Sequence, residues 1–207
     1  MLIQSAVKLI NSMPDNWVRA EQVRRISGGL EIRFSIHKGQ RGKGFDRWSV
    51  TCRRVHEAKI TAIDGGGMRI YPATHPAARQ YVARRAELRW PRTCDEAKSL
   101  LALYRAHTRA ADDWIPFDRY LSIETPWTGT PFQPHFAPIS GNNFVCRGPE
   151  FLLRTYAEAL EAIGERVQLT LRRVPRLKPT QPKVLHFGES YVVADSFTAE
   201  QVATAPE

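Results

Sequence analysis

The sequence predicts an α+β fold: a mainly antiparallel sheet packed against two principal helices, with a long irregular segment rich in proline and aromatic residues. Three observations support this prediction. Apolar and polar residues alternate in the first third and near the end of the chain, two long stretches have helical spacing, and the segment between those stretches has neither period. At 207 residues, we expect one compact domain, residues 1–207, with a weak sub-boundary near residue 91.

The clearest predicted strands lie at residues 30–37 and 47–53, where apolar and polar side chains alternate strictly. A period of two puts one set of side chains in the core and the other set in water. The connecting residues 38–44 contain three glycines and three cations, which is typical of a flexible basic hairpin tip. The outward set is also basic, so we predict a basic ribbon built from Arg33, Lys38, Arg41, Lys43, Arg47 and Arg53.

Other elements are predicted from the same periods and from helix-end residues. These are a helix at 2–13, an element of ambiguous type at 17–27, a hairpin pairing 57–63 with 68–72, a short helix at 76–82, a strand at 84–90, helices at 93–111 and 149–163, a strand at 166–174 and a hairpin at 184–194. Thr93 is the expected N-cap of the first long helix. We expect residues 166–194 to extend the sheet begun by residues 30–72, and the tail after Phe197 to fray.

The irregular segment, residues 114–144, contains five prolines and seven aromatic residues. A loop of this length is uncommon inside a compact domain and is often functional. Its rings could be buried in the core, which we favour, because aromatic side chains bury large areas. Alternatively, Trp127 and Phe132 could stack on the bases of a nucleic acid or anchor a protein partner.

Positive charge is clustered in the sequence. The chain has a net charge of +9 and a pI near 9.8. Residues 19–54 hold ten basic side chains against three acids, and residues 166–183 hold six against none. Such clusters are typical of surfaces that bind polyanions, so the leading hypothesis is a non-catalytic nucleic-acid-binding protein. Its phosphate contacts would come from the basic ribbon and from a second patch, Arg172, Arg173 and Lys178.

Two other functions are compatible with the sequence. The same basic surface could meet an acidic protein, which would make the chain a protein-interaction module such as a regulator, an assembly subunit or an antagonist. More weakly, Cys146 could act as an enzymatic nucleophile if His135 or His186 lay beside it. The six histidines show no metal-binding spacing, and no cofactor-binding motif is present, so we expect neither a metal nor a cofactor.

Some classes of protein are not expected from this sequence. Three widely spaced cysteines argue against a disulfide framework and favour a reducing compartment. No apolar run approaches the roughly 18–20 residues that span a bilayer, and the first residues lack the features of a secretory signal. We therefore expect a cytoplasmic protein that does not insert into a membrane.

Overall fold

The computed structural model describes residues 3–12, 17–37, 45–61, 64–91, 94–121, 123–124, 135–136, 143–172 and 181–205. These residues have the predicted α+β fold. Their helices are α1 (Ile3–Asn11), α2 (Pro76–Val82), α3 (Glu96–Ala111) and α4 (Glu150–Ala162). Their strands are β1 (Trp17–Ile26), β2 (Gly29–His37), β3 (Phe45–Lys59), β4 (Asp64–Gly66), β5 (Met68–Tyr71), β6 (Arg85–Pro91), β7 (Ile123–Glu124), β8 (His135–Phe136), β9 (Asn143–Pro149), β10 (Gln168–Leu171), β11 (Lys183–Phe187) and β12 (Ser190–Ala205).

The chain divides into two compact units. The first unit comprises Met1–Arg79 and Thr180–Glu207, and the second comprises Gln80–Pro179. Each unit has its own hydrophobic core. The single domain expected from the sequence stays a prediction.

The first unit is an antiparallel sheet that closes on itself. Its strand order is β4-β1-β2-β3-β12-β11-β5, so β4 and β5 form the two ends. These two strands are successive parts of one segment, interrupted at Gly67. The first part pairs with β1 and the second part pairs with β11. Because one segment is hydrogen-bonded to both ends, the strands form a closed antiparallel barrel without a free edge at this point.

The inward-facing side chains of this barrel form the core of the first unit. Phe34 and Trp48 are opposite each other in the register of β2 and β3, and both are buried. The apolar face of α1 joins the same core; it consists of Ile3, Ala6 and Ile10. Alternation therefore predicted the buried face of β2 and β3 correctly, and it sets which side chains point outward.

The second unit packs two helices together with a three-stranded sheet of order β10-β6-β9. Ala86, Leu88 and Trp90 point from β6 into its core, where α4 contributes Leu152, Leu153, Tyr156 and Leu160. Helix α4 is followed by Gly164, whose positive φ of 92° suits glycine and whose N–H donates to the carbonyl of Glu161 at 2.9 Å.

Two sequence-based pairings are wrong. Strand β5 pairs with β11 and not with residues 57–59, which pair with β12, so the predicted hairpin across residues 64–67 does not form. Strand β10 pairs with β6 in the sheet of the second unit, so it does not extend the first sheet. Both errors concern partners that are distant in sequence, which local periodicity does not determine.

Three local expectations also need correction. The tail after Phe197 is not frayed, because β12 continues along β3 to Ala205. The N-cap of α3 is Asp95, whose carboxylate accepts the Lys98 N–H at 3.0 Å, while Thr93 lies outside the described residues. Helical spacing predicts that the apolar stripe of α3 includes Tyr104, His107 and Ala111. His107 and Ala111 are buried, but Tyr104 is 54% exposed and Leu103 and Ala106 are buried in its place.

The irregular segment is described only in part. Strand β9 occupies its end, a strand that the sequence pattern did not reveal, and most of residues 122–142 lie outside the described residues. Among the helices that the structure describes, none is long and apolar enough to cross a membrane.

Candidate nucleic-acid interface

The outer face of β1, β2 and β3 carries the predicted basic ribbon. Arg33, Arg47 and Arg53 alternate with buried side chains and are exposed. Their neighbours across the strands are small or polar, because Arg33 is opposite Ser49, Arg47 is opposite Ser35 and Arg53 is opposite Gly29. Arg24 on β1 lies on the same face, because it is opposite Glu31 on β2. We call Arg24, Arg33, Arg47 and Arg53 the β1–β3 arginine face.

Two glutamates reduce the charge of this face. Glu31 pairs with Arg24 at 2.8 Å and with Arg33 at 3.5 Å, and it accepts a hydrogen bond from the Ser49 hydroxyl at 3.0 Å. The Ser49 hydroxyl first, and then the two arginines, hold the pKa of Glu31 below its ordinary value against the opposing effect of burial. Glu21 pairs with Arg47 at 3.8 Å. These pairs orient the arginines without covering them, since the side chains of Arg33 and Arg47 remain 48% and 49% exposed.

Arg53, a member of this face, and its neighbour Arg54 also make contacts within the first unit. Arg53 donates to the carbonyl of Ser27 at 2.6 Å, across the turn between β1 and β2. Arg54 pairs with Asp195 at 2.9 Å, and the same carboxylate lies 2.7 Å from the Nε2 of His56. The charge excess counted in the sequence is therefore larger than the excess on the outer face.

A second basic surface lies on the outer face of the β10-β6-β9 sheet. Arg89 on β6, Arg147 on β9 and Arg172 just after β10 all reach the carboxylate of Glu87. The Nε of Arg89 donates to Oε1 at 2.7 Å, and Oε2 accepts from the Nε of Arg147 at 2.8 Å and from Nη2 of Arg172 at 2.6 Å. We call these four residues the Glu87 cluster.

The Glu87 cluster combines a buried carboxylate with exposed cations. The side chain of Glu87 is 8% exposed, whereas those of Arg89, Arg147 and Arg172 are 43%, 56% and 50% exposed. Hydrogen bonds from Arg147 first, and then from Arg89 and Arg172, lower the pKa of Glu87 to about 2. The carboxylate is therefore ionised at neutral pH, and the three arginines exceed it by two charges.

The predicted site residues fall into three groups. Arg33, Arg47 and Arg53 share one outer face, and Arg172 belongs to the Glu87 cluster. Lys38, Arg41, Lys43, Arg173, Lys178, Trp127 and Phe132 lie outside the described residues. Sequence reasoning missed Arg89 and Arg147, because neither belongs to a run of charge. The available signal was the alternation of Arg85, Glu87 and Arg89 with apolar residues along β6.

The cysteine proposed as a nucleophile is buried. Cys146 points from β9 into the core of the second unit, and burial raises the pKa of its thiol to about 12. A protonated, enclosed thiol is a poor nucleophile. His135 lies in β8, and its side chain is outside the described part of the structure. These observations weaken the enzymatic hypothesis.

His186 belongs to an aromatic group in the first unit. Its ring centre lies 6.0 Å from that of Tyr71, which stacks on His75 at 4.4 Å. Burial is the main cause that lowers the pKa of His75 and of His186. The pKa of His75 is lowered further by repulsion from His186, and the pKa of His186 by repulsion from Arg69. Both imidazoles are therefore neutral at pH 7.

His107 has a structural role, as its place on α3 suggested. Its Nε2 lies 2.6 Å from the carbonyl of Ile115, so this nitrogen must carry the proton. In the neutral ring Nδ1 is then an acceptor, and the Tyr156 hydroxyl donates to it at 2.7 Å. Burial lowers the pKa of His107 despite the opposing carbonyl. The side chain is thus a satisfied core histidine.

Among the described residues, no three or more His, Cys, Asp or Glu side chains are grouped so that they could hold a metal ion. No protein-family model, no curated protein and no solved structure matches this chain.

Proposed function

We propose that this chain is a cytoplasmic, non-catalytic nucleic-acid-binding protein whose β1–β3 arginine face contacts backbone phosphates. The observation that carries the proposal is that Arg33, Arg47 and Arg53 project from one exposed face of adjacent strands. A guanidinium offers a planar fork of N–H donors that matches two phosphate oxygens. Contacts of this kind give affinity and orientation without reading sequence.

Charge and exposure both support this proposal. The chain as a whole carries +9, so its field attracts a polyanion over longer distances than the individual contacts reach. The pairs with Glu21 and Glu31 involve half-exposed arginines, and ion pairs that water can screen add little to stability. A phosphate can therefore compete for the half-exposed guanidinium groups of Arg33 and Arg47 at small cost.

The experiment is a titration of the full chain with fluorescent single-stranded and double-stranded oligonucleotides at several salt concentrations. We expect the logarithm of the affinity to fall linearly with the logarithm of the salt concentration. In the double variant Arg33→Gln/Arg47→Gln, the magnitude of the slope should fall by about one for each phosphate that the protein no longer neutralises. Absence of binding at low salt, where electrostatic attraction is least screened, would overturn the proposal.

A matched control separates a local contact from a general change in charge. Lys8 is exposed on α1, outside the β1–β3 arginine face, so Lys8→Gln removes one positive charge elsewhere in the first unit. We expect it to leave the slope almost unchanged. Equal effects of Lys8→Gln and of Arg33→Gln would mean that the face makes no specific phosphate contact.

A second candidate is an interaction module that binds an acidic protein. The pairs of Arg24 and Arg33 with Glu31 favour it, because guanidinium groups on this face already bind a carboxylate. This candidate predicts binding to poly-glutamate that Arg33→Gln/Arg47→Gln weakens, together with no measurable affinity for either oligonucleotide. Stronger binding to an oligonucleotide than to poly-glutamate of equal charge would reject it.

A further inference from the structure

The Glu87 cluster has a net positive charge, because it contains three arginines and one glutamate. Arg89, Arg147 and Arg172 come from three neighbouring strand positions, and their described side-chain ion pairs all involve Glu87. Among the described side chains of this cluster, three cations and one carboxylate give an excess of two positive charges. This differs from the β1–β3 arginine face, where the arginines are spread along strands and meet two glutamates.

Glu87 orients the arginines without exhausting their donors. Each guanidinium has five N–H groups, and Arg147 and Arg172 each direct one nitrogen at the carboxylate. The carboxylate is buried while the three arginines are about half exposed, so the arginine side chains are accessible from solvent. Thr170 on β10 is opposite Glu87 on β6. It is exposed on the same face, and its hydroxyl is a further hydrogen-bond donor.

We infer that the Glu87 cluster is a binding site for a phosphate monoester dianion. Such a group carries about −1.5 to −2 charges at neutral pH and three terminal oxygens, which matches the excess of two charges and the converging forks. A phosphodiester carries a single charge and fits a line of separate arginines better. If the phosphate belongs to the end of a nucleic-acid strand, the inference rests on the proposed function. If it belongs to a small phosphate compound, the inference is independent of that function.

The first test measures the preference for a strand end. The full chain is titrated with one single-stranded oligonucleotide carrying either a 5′-phosphate or a 5′-hydroxyl, at one salt concentration and pH 8. We expect the phosphorylated strand to bind about tenfold more tightly or better, because charge-assisted hydrogen bonds contribute more than neutral ones. Arg147→Gln and Arg172→Gln should each reduce this preference towards one.

Matched variants assign the preference to the cluster. Arg33→Gln/Arg47→Gln should weaken the binding of both strands and keep their ratio. Arg105 is exposed on α3, so Arg105→Gln removes a charge from the second unit outside the cluster and should change neither. Arg147→Lys keeps the charge and loses the fork, so an intermediate ratio is expected. Urea denaturation of each variant verifies that it is folded.

The second test uses small phosphates with the wild-type chain and with Arg147→Gln, in which we expect the binding to be lost. Phosphorus-31 NMR and calorimetry with inorganic phosphate and with a nucleoside 5′-monophosphate should detect binding to the wild-type chain. Binding should be stronger at pH 8 than at pH 5.5, because the second pKa of a phosphate monoester is near 6 and the dianion forms above it.

The outcomes of the two tests are distinguishable. A strand-end preference that depends on the cluster supports the inference and identifies a nucleic-acid end as the source of the phosphate. Binding of small phosphates that Arg147→Gln abolishes, with no affinity for any oligonucleotide, supports the inference while overturning the proposed function. Binding that Arg147→Gln and Arg172→Gln leave unchanged would overturn the inference. No strand-end preference and no binding of small phosphates would overturn the inference, and oligonucleotide binding that depends on Arg33 and Arg47 would leave the proposed function standing.

Discussion

The side-chain amide of Asn11 hydrogen-bonds both backbone groups of Met68: its Nδ2 donates to the Met68 carbonyl at 2.6 Å, and its Oδ1 accepts from the Met68 N–H at 3.0 Å. Met68 begins β5, directly after the change of pairing partner from β1 to β11 at Gly67. In an antiparallel strand the N–H and the C=O of one residue point to the same side, so a single side-chain amide can bond to both. Asn11, the last residue of α1, therefore supplies the donor and the acceptor for Met68, and it connects the helix to the strand segment that closes the barrel.

The first prediction is that Asn11→Ala lowers the free energy of unfolding by about 1–3 kcal/mol, because it leaves two partly buried backbone groups without this partner. Asn11→Asp should also destabilise, since a carboxylate keeps the acceptor but cannot donate to the Met68 carbonyl. Urea denaturation followed by circular dichroism measures the change. Lys8→Ala, on an exposed position of the same helix, should stay within about 0.5 kcal/mol. An equally small effect of Asn11→Ala would show that water replaces the amide.

The second prediction concerns the thiols. Burial raises the pKa of Cys52 and of Cys146 to about 12, so at pH 8 only about one thiol in ten thousand is ionised. We expect an alkylating reagent to modify Cys94, which is half-buried, before either of them. Labelling of Cys52 and Cys146 should accelerate strongly in urea, as mass spectrometry of digested protein would detect.

Cys94→Ser is the control for this measurement, because it should abolish most labelling of the native chain. Rapid labelling of Cys146 in the native Cys94→Ser variant would contradict the assigned burial. It would also restore Cys146 as a candidate nucleophile.

The sequence predicted local structure better than it predicted pairing. Period-two alternation located β2 and the middle of β3, residues 47–53, because each has one buried face and one face exposed to water. The pairing of Trp17 with Gly66 and of Leu171 with Ala86 joins residues that are far apart in sequence, and both strands of each pair lack a distinctive local partner signal. Local periodicity therefore could not predict the closure of the barrel or the second sheet.

The same distinction applies to the candidate sites. Arg33 and Arg47 were predicted because they are close in sequence and lie on clearly alternating strands. The Glu87 cluster joins Arg89, Arg147 and Arg172, which come together only when β9 and β10 flank β6. Charge runs reveal a surface built from one hairpin, whereas a cluster assembled by long-range pairing requires the fold.

The third prediction is that Glu87→Gln destabilises the chain at pH 7 by about 1–3 kcal/mol, because the three arginines lose a charged acceptor and repel one another. The pKa of Glu87 in the folded chain is about 2, below its ordinary value of 4.5. Its ionised form therefore stabilises the folded chain fully above about pH 4.5, and this contribution is lost as the pH falls towards 2. Urea denaturation of both proteins between pH 7 and pH 2 should give a stability difference that narrows over this window. Other carboxylates titrate in both proteins, so the difference between their free energies of unfolding isolates the contribution of Glu87. A difference that stays constant with pH would contradict the assigned ion pairs.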